Sequence, residues 1–225
     1  MKKIGLIISV SALSIGLAFS TNCSFSKFSS FSGVQGSGTS KTETRNVSGF
    51  TKIEVGGAVN IVVSAQSDFS VTVQADDNLL ANIKTEISGD TLKIYSEDSI
   101  SPKTPINVKI SMPALESVDI SGASSGVIAD VKADSLELKA SGASKIKITG
   151  EAKNLEADAS GASTIDAEGL TAADADIEAS GASKATVSAT DNLKVEASGA
   201  SKISYVGEPK NIKQNSSGAS SVTKK

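Results

Sequence analysis

The stretch Leu136–Ser163, LELKASGASKIKITGEAKNLEADASGAS, holds two copies of Ser-Gly-Ala-Ser, beginning at Ser141 and Ser160. Outward from it the same tetrapeptide begins at Ser121, Ser180, Ser198 and Ser217, so successive copies lie 20, 19, 20, 18 and 19 residues apart. A return at a nearly constant period of this length marks a solenoid, in which each coil stacks on its neighbours and turns at the same place each time.

Between the turns, apolar residues alternate with polar ones. Leu136, Leu138 and Ala140 precede one turn; Leu155, Ala157 and Ala159 the next; then come Ala175, Ile177 and Ala179, and Leu193, Val195 and Ala197. Following the turns are Ile146 and Ile148, Ile165 and Ala167, Ala185 and Val187, and Ile203 and Tyr205. A period of two is strand periodicity, so each coil reads as strand, tight Ser-Gly-Ala-Ser corner, strand and wider turn. The residues between, such as Glu137, Lys139, Asp158, Lys145, Lys147 and Lys184, face water. The wider turns VKADS, GEAKN, GLTAAD, TDN and GEPKN differ in length and absorb the spread in repeat interval.

The corner has a chemical rationale. Gly122, Gly142, Gly161, Gly181, Gly199 and Gly218 supply the positive φ that a sharp bend needs. Ala and Ser are small enough for coils to stack at about 4.8 Å, and the Ser hydroxyls can bond to the neighbouring coil. Unbroken alternation through the tetrapeptide would instead turn its Gly and second Ser inward; the corner is the reading adopted. The last copy has Gln214 and Ser216 at inward places, which suits a terminal coil.

Composition narrows the function classes. The chain has 225 residues, 39% of them apolar but only 4% aromatic, with no Trp, so one domain with a core of Ile, Val, Leu and Ala is expected. The net charge is -3, Lys is interspersed with Asp and Glu, and Arg45 is the only arginine. Nucleic acid is therefore not an expected partner, because phosphate neutralisation calls for a basic face with Arg forks. The absence of histidine removes imidazole acid/base catalysis, catalytic triads and His-ligated zinc.

At the N-terminus, Lys2 and Lys3 precede the apolar run Ile4 to Phe19, the pattern of a secretory signal over residues 1–22. Cys23, the only cysteine, follows it directly and has no second thiol to pair with. Its placement resembles the lipid-modified cysteine of bacterial lipoproteins, although Ser20 occupies the place where those usually carry an aliphatic residue. Ala18-Phe19-Ser20 alternatively suits ordinary signal peptidase and release of a soluble protein. Residues 23–49, rich in Ser, Gly and Thr, read as a tether, with Phe25, Phe28 and Phe31 as apolar beads. The expected anchorage is the membrane through lipidated Cys23, on the outer membrane or cell surface; without lipid the protein is periplasmic or secreted.

The folded part is expected over residues 50–225, with the repeats at 121–220. Ile53, Val55, Ile61 and Val63 flank Gly56-Gly57-Ala58, a degenerate seventh copy of the turn. Ile83 to Ile94 reads as a hairpin turning at Ser88-Gly89-Asp90. The stretch DDNLLANI between strands reads as one helical turn capped by Asp76 or Asp77.

The segments FTKIEVGGAVNIVV, ADDNLLANIKTEISGDTLKIY and INVKISMPALESVDISGASSG, together with the recurring SGAS, resemble the putative auto-transporter adhesin head domain family, the GIN domain. The resemblance spans roughly residues 50–222. It implies a right-handed parallel β-helix of secreted or lipid-anchored bacterial envelope proteins, with no established biochemical activity.

No catalytic or metal-binding set and no cofactor is expected. Asp158, Glu178 and Glu196 hold equivalent outward places on successive coils, an acidic ladder about 4.8 Å in pitch. A solvated face is the plain account of it, and calcium binding the sharper one. Ser144, Ser163 and Ser183 are candidates for a flat recognition array. The expected role is a non-catalytic structural, adhesive or protein-interaction module with an envelope protein or glycan partner, or a second copy of itself. The alternatives are a carbohydrate-active enzyme or a module binding a glycan or small ligand.

Overall fold

A computed structural model describes residues 33–225. The signal segment, Cys23, Phe25, Phe28 and Phe31 lie outside the described residues. The described chain is all β. It opens with β1 (Val34–Gln35), β2 (Ser40–Arg45), β3 (Lys52–Val55), β4 (Val59–Ala65), β5 (Ser70–Asp76) and β6 (Ile83–Ser88), followed by β7 (Thr91–Ser96), β8 (Ile100–Ser101), β9 (Ile106–Met112) and β10 (Ser117–Ile120). The repeat region is β11 (Ser125–Ala140), β12 (Lys145–Ala159), β13 (Thr164–Ala179), β14 (Lys184–Ala197), β15 (Lys202–Val206), β16 (Asn211–Ser216) and β17 (Ser221–Lys224). Together they form a β-solenoid of about 5 turns with coils of about 20 residues.

Each Ser-Gly-Ala-Ser joins the last run of one long strand to the first run of the next, and all pairings from β10 to β17 are parallel. The twelve residues expected to point inward before the four turns from Ser141 to Ser198 are all buried. So are the paired residues after them, except Tyr205, which is half-buried. One expectation is corrected. Four of the stretches read as wider turns, VKADS, GEAKN, GLTAAD and TDN, are not loops, because the strands bend while still hydrogen-bonded, whereas GEPKN does leave the sheet between β15 and β16. Between β11 and β12, Ser125–Ile128 pairs with Lys145–Ile148, Val131–Ala133 with Gly150–Ala152, and Ser135–Ala140 with Asn154–Ala159. A third run of rungs therefore closes the coils of β11 to β14 and adds Val131, Ala152, Leu170, Ala172 and Ala189 to the core. Repeat length varies mainly at the corner after the first run, where the register shifts between Ile128 and Val131, Lys147 and Thr149, and Ala167 and Thr171, with one further shift at the later corner between Ala172 and Asp174.

The corner itself carries the stacking. The six repeat glycines have φ between 70 and 76°. Their neighbours form a backbone ladder in which Ala143 N donates to Gly122 O at 2.8 Å, Ala162 N to Gly142 O at 2.8 Å and Ala182 N to Gly161 O at 2.7 Å. The second Ser of each copy turns inward beneath it. Ser144, Ser163, Ser183 and Ser201 are buried, and their Oγ atoms donate to the carbonyls of Ile120, Ala140, Ala159 and Ala179 at 2.9 to 3.0 Å. Each of these carbonyls belongs to the preceding coil and also accepts the backbone N–H of the first Ser of the copy.

The N-terminal end is built differently. β3, Gly56-Gly57-Ala58 and β4 make a coil aligned with the repeats, since Ala123 N donates to Gly57 O at 2.7 Å. The chain then leaves the stack and lays β7 and β9 against the outer side of β3 and β4. β10 returns to the far side of β3. The second coil in sequence is thus the first in space. Its edges carry antiparallel strands: β6 on β7, and β5 on β9 with β2 beyond it. Here the tether reading needs correction, because β2 pairs all six of its residues with β5 and β1 pairs with β8. The second half of the Ser/Gly-rich stretch belongs to the folded body. Almost every β2 side chain is exposed, so this edge strand left no apolar alternation to read.

Replacing a corner glycine tests the ladder against the serine beneath it. In Gly161→Ala the new methyl would sit 2.7 Å from Gly142 O at a φ of 71°. That combines left-handed strain with a backbone clash and should cost on the order of 2 kcal/mol or more. Ser163→Ala leaves the Ala140 carbonyl still bonded to Ser160 N, and should cost about 1 kcal/mol. Urea denaturation midpoints should fall in that order, and a larger loss for the serine would place the constraint in the hydroxyl instead.

Candidate functional site

The stacked corners form a ridge whose exposed apex is the Gly-Ala pair of each turn. Two residues before each copy lies one outward row, in register from coil to coil: Glu54, Asp119, Lys139, Asp158, Glu178, Glu196 and Asn215. One residue after each copy lies a second row, of which Lys145, Thr164, Lys184 and Lys202 are the middle members. One flank of the ridge is thus acidic toward its C-terminal coils, and the other carries lysine.

Beside the acidic row runs a groove of about 290 Å³, lined by Asp158, Glu178, Glu196 and the first Ser of the adjoining turns. Burial pushes the Asp158 carboxyl above the ordinary carboxylate range; Lys139 opposes that rise, while Glu137 and Asp176 add to it. Asp119 is raised as well, by burial first and then by Glu54, again opposed by Lys139. Among the described residues no group of three or more carboxylates is placed to hold a metal ion, so the ladder offers side-by-side charges rather than a coordination shell. Asp158 and Glu178 have no salt-bridge partner among the described residues, whereas Glu196 shares Lys194 with Asp176. The serine array is corrected: Ser144, Ser163 and Ser183 face the core and cannot touch a ligand.

A second concavity lies at the N-terminal end. Where every repeat coil has a tight corner, the β7–β9 coil has the longer connection Glu97–Pro105, which carries β8. Between that connection and the Gly56-Gly57-Ala58 turn opens a cleft of about 440 Å³, lined by Val59, Ile83, Tyr95, Ile100, Pro102 and Ile106. Its lining is mostly aliphatic.

Asp76 holds the cleft's outer wall in place. The sequence reading made it, or Asp77, the cap of a helical turn. In the structure Asp77–Asn82 is a run of turns, and the fully buried Asp76 carboxylate faces away from it. It accepts hydrogen bonds from Lys103 N at 2.7 Å, Gly38 N at 2.9 Å, Thr104 Oγ1 at 3.1 Å and Thr104 N at 3.2 Å. One side chain thereby ties the segment after β1 to the segment after β8. The sequence held no signal for this beyond an acid at the end of an alternating strand.

Burial alone would push the Asp76 carboxyl up, but these hydrogen bonds outweigh it and hold the group below the ordinary carboxylate range. A carboxyl depressed in the folded state contributes stability that is complete above its unfolded pKa of about 3.9 and is lost as pH falls through the folded value. Asp76→Asn should therefore lower the thermal midpoint at neutral pH, with the gap from the wild type narrowing below about pH 4. A gap that does not change with pH would mean that the ionised form is not what binds these amides.

Comparison with known proteins agrees with this architecture. The family described as "Putative auto-transporter adhesin, head GIN domain" matches residues 49–209. No curated protein matches the chain. Among solved structures, a putative adhesin from Bacteroides fragilis is similar over 86% of this chain and 100% of its own, at 19% identity and a TM-score of 0.71. A putative adhesin from Parabacteroides distasonis matches over 85% of this chain and 99% of its own, at 23% identity and a TM-score of 0.55. A putative lipid binding protein from the same species covers 85% of this chain and 99% of its own, at 20% identity and a TM-score of 0.56. At these identities the likeness is one of fold, whereas the sequence match over residues 49–209 is specific to a family: the chain belongs to the putative auto-transporter adhesin head GIN domain family.

Proposed function

We propose that this protein is a non-catalytic interaction module of the bacterial envelope, exported by its N-terminal signal and held on a membrane surface by acyl chains on Cys23. The observation that carries the reading is the arrangement of polar side chains. Among the described residues of the repeat coils they stand in parallel rows, one residue per rung, and no group of three or more acidic side chains gathers at one point. Such rows suit recognition of an extended partner, an envelope protein or a glycan, and the adhesin description of the family accords with that use. Lys2, Lys3, the apolar run to Phe19 and the lone Cys23 support export and anchorage. At about 0.8 kcal/mol per buried methylene, more than one acyl chain is needed for lasting attachment. Intact-mass analysis of the protein from its native envelope, with Cys23→Ala beside it, tests the anchor. The expected product starts at Cys23 with added acyl mass that the variant lacks. An unmodified chain starting at Thr21 would overturn anchorage and leave a secreted solenoid.

One observation favours a second reading, a module that binds small apolar ligands. The cleft lined by Ile100, Pro102 and Ile106 has the size and lining that an aliphatic chain requires, and one protein of the same fold is described as a putative lipid binding protein. Titration calorimetry with dodecanoate should then give saturable heat that Ile100→Asp abolishes. No heat, or heat unaffected by the substitution, removes the cleft from consideration.

A further inference from the structure

The two flanks of the corner ridge are charge-complementary to each other. On the turn that begins at Ser180, Glu178 stands on one flank and Lys184 on the other; on the turn that begins at Ser198, the pair is Glu196 and Lys202. Lys184 and Lys202 are exposed, and neither they nor Glu178 have a salt-bridge partner among the described residues. Both rows advance by one residue per coil, so they share a single pitch of about 4.8 Å. Between them the apex is only Gly and Ala, which lets another surface approach closely.

These facts select a symmetry. When two solenoids meet ridge to ridge, a two-fold axis parallel to the stacking direction sets the acidic flank of each against the lysine flank of the other, at the same height. A two-fold axis that reverses the stacking direction would set acid against acid and lysine against lysine. From this we propose that two copies of the chain associate ridge to ridge with their stacks parallel, Glu178 and Glu196 of each copy pairing with Lys184 and Lys202 of the other. The contact is isologous and closes on itself, the commonest arrangement for a homodimer. The lysines enter the groove beside the acidic row, where a cation meets Asp158 as well. On the next rung Asp158 stands opposite Thr164, a neutral pairing. On the rung at Ser141, Lys139 would face Lys145, but Lys139 is already bound to Glu137. The match is therefore centred on the C-terminal turns. A parallel pair also brings both Val34 ends to one side, as two copies on one surface require. The inference concerns a surface of the solenoid itself and stands whether or not Cys23 carries lipid.

A small polar contact of four ion pairs makes a weak dimer that salt dissolves. The test is sedimentation of the purified full chain at about 0.1 mM, in low salt and then at about 1 M salt, where the Debye length falls to about 3 Å. The wild type should approach twice the monomer mass in low salt and fall to the monomer in high salt. The variants Lys184→Glu/Lys202→Glu and Glu178→Lys/Glu196→Lys should each be monomeric, with unchanged circular dichroism because all four sites face water. Mixed one to one, the two variants should recover the dimer, as should a single chain carrying all four changes. A wild type that stays monomeric in low salt overturns the proposal, and so does a dimer that either charge reversal leaves intact. Recovery of species larger than a dimer would replace the closed pair with an open chain and overturn it too. Retention of a monomeric wild type on anionic vesicles would assign the lysine row to a lipid surface instead.

Discussion

The hydrogen bond from the alanine N–H of one corner to the glycine carbonyl of the corner before it is the contact on which the stack depends. It recurs at 2.7 to 2.8 Å from Gly57 to Ala219. It is made possible by an atom that is missing. A Cβ on any of the repeat glycines would fall 2.4 to 2.8 Å from the carbonyl oxygen beneath it. Strand pairing sets the coil spacing on the flat runs, and only glycine allows the corner to keep that spacing while the chain reverses. The inward serine completes the joint. Its hydroxyl supplies a second donor to a carbonyl that already accepts one backbone N–H, so a polar group is buried without loss. The first copy differs because its neighbour is Gly-Gly-Ala-Val. There Ser121 Oγ donates to the Val55 carbonyl, and Ser124 Oγ accepts from Val59 N.

This constraint explains why the repeat region tolerates so much small side-chain volume. Ala occupies inward places in every long strand, and a core of Ala, Val, Ile and Leu without aromatic residues would be thin in a globular domain. In a stack each inward residue packs on its equivalents above and below, and the contribution per coil repeats. The aromatic contact among the described residues, Phe50 against Phe69 with ring centroids 5.0 Å apart, lies where the repeat has not yet begun. At the other end the inward places of β16 are exposed, with Ile212 at 45% and Gln214 and Ser216 beside it.

What the sequence disclosed follows from the same physics. Period-two alternation and a glycine whose recurrence is fixed by stacking are local signals, and the inward residues flanking each turn could be named one by one. The third run of each coil could not. Its rungs, Val131–Ala133 and Gly150–Ala152, are too short for alternation to develop, and bulges interrupt them. The spatial order of the first two coils was equally hidden, because β7 and β3 are joined by pairing and not by any shared motif. Gly126 shows how context reshapes a repeat. It stands where later coils have Ile146 or Ile165, and a Cβ there would meet Ile120 Cδ1 at 2.5 Å and Ile61 Cγ1 at 3.2 Å. The larger side chains of the neighbouring coils already fill its place. Asp76 was silent for a related reason, since the three residues that make its four hydrogen bonds lie 27 to 38 residues away.

The functional surfaces divide along the same line. Outward positions on a parallel stack are free to vary, because a charge there costs the fold little. A row of like charges nevertheless repels itself at coil spacing, and this chain relieves the strain unevenly. In the row two residues earlier, Glu137, Glu156 and Asp176 follow one another and Lys194 comes next, and lysines reach between the two rows, Lys139 to Glu137 and Lys194 to Asp176 and Glu196. Along the ridge, Asp158 and Glu178 are left to each other, while the compensating lysines stand across the apex, facing away. Had the sequence been shaped only for the stability of one chain, the simplest remedy would have been to alternate signs within the row. Separating the signs by flank forgoes that relief and creates two complementary edges of equal pitch, on which Glu178, Lys184 and Lys202 have no ion-pair partner among the described residues while Glu196 shares Lys194 with Asp176.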